Sequence, residues 1–468
     1  MLFNSIVFLV FFSIFFFLFY YMNGTWRKWL LLLASCIFYM WFIPVYVLIL
    51  FLTIGIDYFA AIKIEDDKTD KAKRFHLWFG IINTCLVLFI FKYHNFFIDN
   101  FNALGLTHIE NWDIILPIGL SFHTFQSLSY VVEVYRGNIK AERSLLTYSN
   151  FVMMFPQLVA GPIERANNML PQLRTCDHTI SYRDFSIGFH RFFWGLFKKV
   201  VVADTASVFV DATYNNYMLH PGSMLLVGTA LFAVQIYCDF SGYSDMAIGI
   251  ARMLGFRFRE NFAIPYFSKD ITEFWRRWHI SLSSWLRDYL YISFGGNRYG
   301  QWKTYRNLML TMLLGGLWHG ASWNFVIWGG INGLYLSIEK MTNLPAWKPK
   351  FLISKLMRVA YVFILICLTW VFFRAVTFEQ ATGIIGKIFT GFNASGFQFL
   401  DVNVFSSIVI GIVTLLAFEY VVFRNLTFDQ LFDSKKGQWK LMAMTIFFFM
   451  MMLFFGNSTG NQFIYFQF

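Results

Sequence analysis

The chain has 468 residues, of which 57% are hydrophobic, 21% aromatic and only 14% charged, against about 25% charged in an ordinary soluble protein. Sixty phenylalanines exceed what a soluble core can enclose, and the same figures exclude a disordered chain, a collagen and a small disulfide scaffold. The net charge of +11 invites a nucleic-acid reading, but the Lys and Arg fall in short clusters between apolar runs, the pattern that orients a polytopic membrane protein.

In chain order, residues 1–22 lack a basic leader and a small-residue cleavage site, which predicts a retained first span and no removed signal peptide. Further apolar runs predict spans near 29–42, 45–62, 77–98, 114–134, 186–209, 222–251, 306–320, 322–338, 357–374, 403–423 and 439–456, eleven or twelve crossings in all. Segment 149–163, FVMMFPQLVAGPIER, is too short and is interrupted by Pro156, Gly161 and Pro162. It reads as re-entrant, which a bilayer tolerates only where protein or water surrounds the backbone. Basic clusters at Arg27–Lys28, Lys63–Arg74, Arg136–Arg143, 252–306, Lys348–Arg358 and Arg424–Lys440 put those loops in the cytoplasm and both termini outside. Arg191, Lys198 and Lys199 lie inside an apolar segment, which predicts a partly interfacial helix with snorkelling basic residues. The five cysteines form no CxxC pair and read as packing residues.

Residues 252–306 do not behave as a plain loop. They hold ten basic residues against four acidic ones. Asp270 and Glu273 have capping-box spacing. Phe274, Trp278, Ser281 or Leu282, and Trp285 then recur at helical spacing and predict one amphipathic helix, which Gly295–Gly296 ends. Two readings are compatible: a helix lying on the cytoplasmic leaflet, or a cationic mouth for a polyanionic substrate, since arginine forks suit phosphates.

An ionisable group inside a span costs about 2.5–3.5 kcal/mol on insertion scales and so marks a candidate site. His319 lies in the apolar run GGLWHGASWNFVIWGG, beside Gly315, Gly316 and Gly320, which allow close backbone approach. Its imidazole suits proton exchange near neutral pH; the alternative is a histidine that glues helices together. Asp239, Ser241, Ser244 and Asp245 form a second polar cluster, suited to acid chemistry, to a cation or, most often, to pairing with arginines of 252–306. His123, Gln126 and Glu133 mark a third. The other histidines (His76, His94, His108, His178, His190, His220) give no metal-ligand spacing, and no metal is expected. No phosphate-binding P-loop, dinucleotide fingerprint, zincin motif or nucleophile elbow occurs.

The blocks LPIGLSFHTFQSLSYVVEVYRG, FPQLVAGPIER, DFSGYSDMAIGIARMLGFRFRENF, ITEFWRRWHISLSSWLRDYLYISFGGNR and GGLWHGASWNFVIWGGINGLYL, in that order, closely resemble the membrane-bound O-acyltransferase family, in its branch of membrane subunits for alginate and other polysaccharide O-acetylation. The resemblance is strong over residues 110–340 and implies an all-α polytopic membrane protein, 1–468 as one membrane domain, with re-entrant and amphipathic cytosolic helices around a central tunnel. It also implies that His319 is the catalytic histidine and His279 the second signature residue. Arg276, Arg277, Trp278, Arg287 and Asp288 would form a coenzyme-binding mouth. The donor it implies is acetyl-CoA, and the implied partner an extracytoplasmic SGNH-type acetyltransferase or a glycan acceptor. The setting would be a bacterial inner membrane with its lipids, without nucleic acid. A D-alanyl transfer component for teichoic acids is the alternative within the family, and a proton-coupled transporter the alternative outside it.

Overall fold

A computed structural model describes residues 1–105, 108–176, 179–344, 351–393, 402–423, 427–457 and 463–464. His178, Lys348 and Arg424 of the sequence reading lie outside the described residues. Every described element is helical, and each predicted span coincides with a helix. Among the described residues five helices are long and apolar enough by themselves to cross a bilayer: Tyr46–Asp66, Asp70–Ala103, Gly222–Met253, Leu352–Arg374 and Lys435–Phe455. The first helix, Ile6–Tyr21, is shorter but apolar on all sides: Phe8, Phe15 and Phe19 are buried while Ile6, Val10, Ile14 and Phe17 are exposed. A helix apolar on both faces suits lipid, with one stripe left for protein. Helices also form outside the predicted spans, Ala166–Thr175 among them. Phe378–Thr390 lies in a stretch read as loop, and its start is set by Thr377, whose hydroxyl accepts from the Gln380 N–H.

The chain packs as two compact units, Met1–Phe189 with Ala247–Arg259, and His190–Met246 with Glu260–Phe468. In the first unit the interrupted segment behaves as the bilayer argument requires. A helix Leu145–Met153 breaks at Met154, a single turn Phe155–Leu158 follows, and the chain then turns at 159–161 and continues without regular structure to Arg165. Every residue from Thr147 to Ala166 is buried, so its irregular backbone meets protein and not lipid. Phe155 anchors it edge-on against Phe11 and Phe15, with ring centroids 5.7 and 5.3 Å apart. Such pairs contribute about 0.5–1.5 kcal/mol each beyond area burial.

Gly119 supports this segment from the start of the Leu120–Tyr135 helix. Its φ of 76° lies in the left-handed region, and a β-carbon there would overlap the Leu158 carbonyl. Gly119→Ala is therefore expected to destabilise the protein by about 1–3 kcal/mol. A thermal melt of the detergent-solubilised variant checks this: an unchanged melting temperature would show that the segment yields freely.

Candidate functional site

In the second unit a glycine-packed helix pair sets His319. The helix Gln301–His319 ends in extended Gly320, and Ser322 begins the returning helix Trp323–Thr342. Side chains at Gly316 and Gly329 would overlap the carbonyls of Phe325 and Met312, so only glycine lets these backbones touch. A β-carbon at Gly320 would meet the Phe325 ring, which fixes the sharp turn directly after His319. His319 is buried, 6% exposed, in an aromatic box. Trp318, Trp328 and Phe373 stand edge-on around it at 5.0, 5.1 and 5.3 Å, and Trp370 backs Trp328 at 5.8 Å.

His279 reaches the same neighbourhood from another element. The helix Ile271–Arg277 starts at Asp270, whose carboxylate accepts from the Glu273 N–H at 2.7 Å. The reciprocal bond differs from the predicted box, because Glu273 accepts from the N–H of Lys269. The continuous amphipathic helix read from the sequence is interrupted: Trp278 is extended, His279 adopts φ 43° and ψ 56°, and a new helix runs Ile280–Trp285 before a π-helical turn Leu286–Tyr291. The cause is Asn261, which captures the backbone at the break. Its carbonyl accepts from the Ile280 N–H at 2.8 Å and its side chain from the Ser281 N–H at 3.3 Å. Completely buried, His279 stands edge-on to Phe240 at 4.6 Å and 6.5 Å from Trp318, which thereby neighbours both histidines. Burial lowers the His279 pKa well below the ordinary imidazole value, so the ring is neutral at physiological pH.

The residues assigned to a coenzyme mouth divide. Arg276 and Arg287 are exposed, Arg277 pairs with Glu273 at 2.6 Å, and Arg287 pairs with Asp288 at 2.8 Å. Arg298, Lys303 and Arg306 are exposed as well. Trp278 is elsewhere: 1% exposed, it sits in an aromatic core of Phe262, Phe274 and Trp370, all with centroids between 5.1 and 5.6 Å. The resemblance grouped Trp278 with the arginines, whereas helical spacing places it on the aromatic face with Phe274 and Trp285.

Two buried polar groups changed meaning. Lys198 and Lys199 do not snorkel; both are buried in a π-helical turn, Lys198–Ala203. Lys198 meets Asp245 at 2.5 Å and Ser241 at 2.9 Å, while Lys199 lies 2.8 Å from both Asp204 and Asp239. Arg191 also reaches Asp245, at 2.8 Å. The carboxylates of the 237–249 cluster thus pair with cations of the preceding span. An uncompensated charge at such depth is the costly alternative. In the first unit His123 and Gln126 are buried, and the His123 Nε2 lies 3.3 Å from the Thr53 hydroxyl. Asp57 is fully buried on the Tyr46–Asp66 helix and accepts from Thr84 at 3.0 Å. It carries the same signal as His319, an ionisable group in an apolar span, and was missed. Among the described residues no group of three or more His, Cys, Asp or Glu is placed to hold a metal.

A buried histidine at a glycine-tight helix turn and a second buried histidine by the same tryptophan thus lie within an all-helical multi-pass membrane protein. A family model for the membrane-bound O-acyltransferases matches residues 138–378. The chain is 44% identical over 398 residues to the probable alginate O-acetylase AlgI of Pseudomonas putida, covering 83% of this chain and 80% of that protein. It is 36% identical to the peptidoglycan O-acetyltransferase of Helicobacter pylori, over 82% of this chain and 79% of the relative. A teichoic acid D-alanyltransferase of Bacillus subtilis is 26% identical over 64% of this chain and 78% of its own length. The chain belongs to the membrane-bound O-acyltransferase family, in its polysaccharide O-acetyltransferase branch, and is an integral membrane acyltransferase.

Proposed function

We propose that this protein takes an acetyl group from cytoplasmic acetyl-CoA and passes it across a bacterial inner membrane for O-acetylation of a cell-envelope or exported polysaccharide. The observation that carries the reading is the placement of His319: an imidazole at a glycine-fixed turn, boxed by Trp318, Trp328 and Phe373. A hydroxyl attacks a thioester poorly until a base takes its proton. His319 accepts that proton, the hydroxyl oxygen bonds to the thioester carbonyl carbon, the carbon–sulfur bond breaks, and the proton goes to the departing thiolate. His279 orients the acyl donor. The exposed Arg276 and Arg287, with Arg277 and Asp288 beside them, attract and position the coenzyme's phosphates. Trp278 supports that surface from the core behind it.

The names of the alginate and peptidoglycan relatives support acetyl as the group and a polysaccharide as the acceptor. An extracytoplasmic SGNH-type acetyltransferase, or the glycan itself, receives it. The 26% identity to a D-alanyltransferase favours a second reading, D-alanyl transfer to a teichoic acid, over a shorter match. The test is purified protein in nanodiscs with radiolabelled acetyl-CoA. Thiol release and labelled acetyl on the acceptor side are expected; label taken only from a D-alanyl carrier would overturn the acetyl reading.

A further inference from the structure

We propose that Asn261 is a positioning residue for acyl transfer, fixing the tautomer of His279 so that Nδ1 carries the proton and Nε2 keeps its lone pair. The inference rests on the reading of His279 as a site residue. Asn261 is 1% exposed, and its side-chain oxygen lies 3.0 Å from His279 Nδ1, 2.9 Å from the Ser281 hydroxyl and 3.3 Å from the Ser281 N–H. Its amide nitrogen donates to the Ser244 hydroxyl at 3.0 Å.

Amide oxygen and nitrogen look alike by shape, so the orientation has to be argued from partners. A backbone N–H can only donate. The atom facing the Ser281 N–H is therefore the oxygen, and the imidazole nitrogen on that same oxygen must bring the hydrogen. A neutral imidazole protonated at Nδ1 presents Nε2 as an acceptor. The same asparagine also holds the backbone that gives His279 its φ of 43°, through the Ile280 N–H. Ring orientation and tautomer are thus set by one residue eighteen positions upstream. Ser244 is held in turn by its helix, where the next residue, Asp245, is tied to Lys198 and Arg191.

The experiment uses the full chain in nanodiscs with ¹⁵N-histidine. Subtracting the spectrum of His279→Ala isolates the His279 nitrogens, whose shifts tell which one bears hydrogen. The wild type should show a protonated Nδ1. Asn261→Asp keeps an acceptor and should retain that tautomer, whereas Asn261→Leu should lose it. Thiol release from acetyl-CoA should fall about 10- to 100-fold in kcat for Asn261→Leu, by analogy with the loss of an orienting partner from a metal-bound histidine, with KM little changed. For Asn261→Asp the rate should recover at alkaline pH, and the acid limb should move to higher pH because the carboxylate stabilises the imidazolium. A wild-type His279 protonated at Nε2 overturns the inference, as does an unchanged tautomer in Asn261→Leu while His279→Ala loses activity. If Asn261→Leu does not fold, an acid limb in Asn261→Asp that stays at the wild-type pH overturns it. Unchanged release in His279→Ala overturns the reading beneath it, and the inference falls too.

Discussion

Replacing His319 with alanine is expected to lower thiol release from acetyl-CoA by about 10²–10⁴-fold, the contribution of a positioned acid–base group. The glycine-tight helix pair that carries it should stay intact, since its closeness comes from Gly316 and Gly329. His319→Asn is the sharper variant, because it keeps a planar polar side chain in the box of Trp318, Trp328 and Phe373 but offers no base. Both variants should elute as wild type from a sizing column, and Trp302→Ala, at an 84% exposed position, should retain full activity. Release from His319→Asn equal to that of the wild type would end the case for proton transfer at this residue. A loss matched in Trp302→Ala would assign the effect to general instability.

The burial of His319 at a tight helix turn was legible because two signals coincide in the sequence: an imidazole in an apolar run, and glycines that allow close approach. The interrupted segment was legible too, since Pro156, Gly161 and Pro162 leave backbone groups that lipid cannot satisfy. The break at His279 was not. Residues 270–285 are locally compatible with one helix, and what stops it is Asn261, whose carbonyl and side chain capture Ile280 and Ser281. Periodicity describes a segment's preference and is silent about a competing hydrogen bond brought by tertiary structure. Charge pairing failed in a different way. Arg191, Lys198 and Lys199 in one span and Asp239 and Asp245 in another were each visible as buried charges in need of compensation. Composition gives the need and not the partner, so the lysines were sent to the headgroups and the carboxylates to the arginines of 252–306. Opposite charges in consecutive apolar spans are the signal that would have joined them.

That pairing has the largest expected effect on folding. Lys199 is buried between Asp204 and Asp239, 2.8 Å from each, and Asp239 also accepts the Ile464 N–H at 2.7 Å. Lys199→Ala leaves two buried carboxylates facing each other without a cation, and removing one partner of a buried pair costs about 3–5 kcal/mol. A marginal domain holds only about 5–15 kcal/mol in total, so most of the variant should be lost from the folded fraction. The measure is the monodisperse share on fluorescence-detected sizing, with a thermal melt of what remains. Neutralising the whole group, as Lys199→Met with Asp204→Asn and Asp239→Asn, should restore much of the loss, because the cost comes from uncompensated charge and not from missing attraction. If the triple variant folds no better than Lys199→Ala, the ion pairs themselves hold these helices together. If Lys199→Ala folds like the wild type, water reaches the pair and the π-helical turn at Lys198–Ala203 is open to solvent.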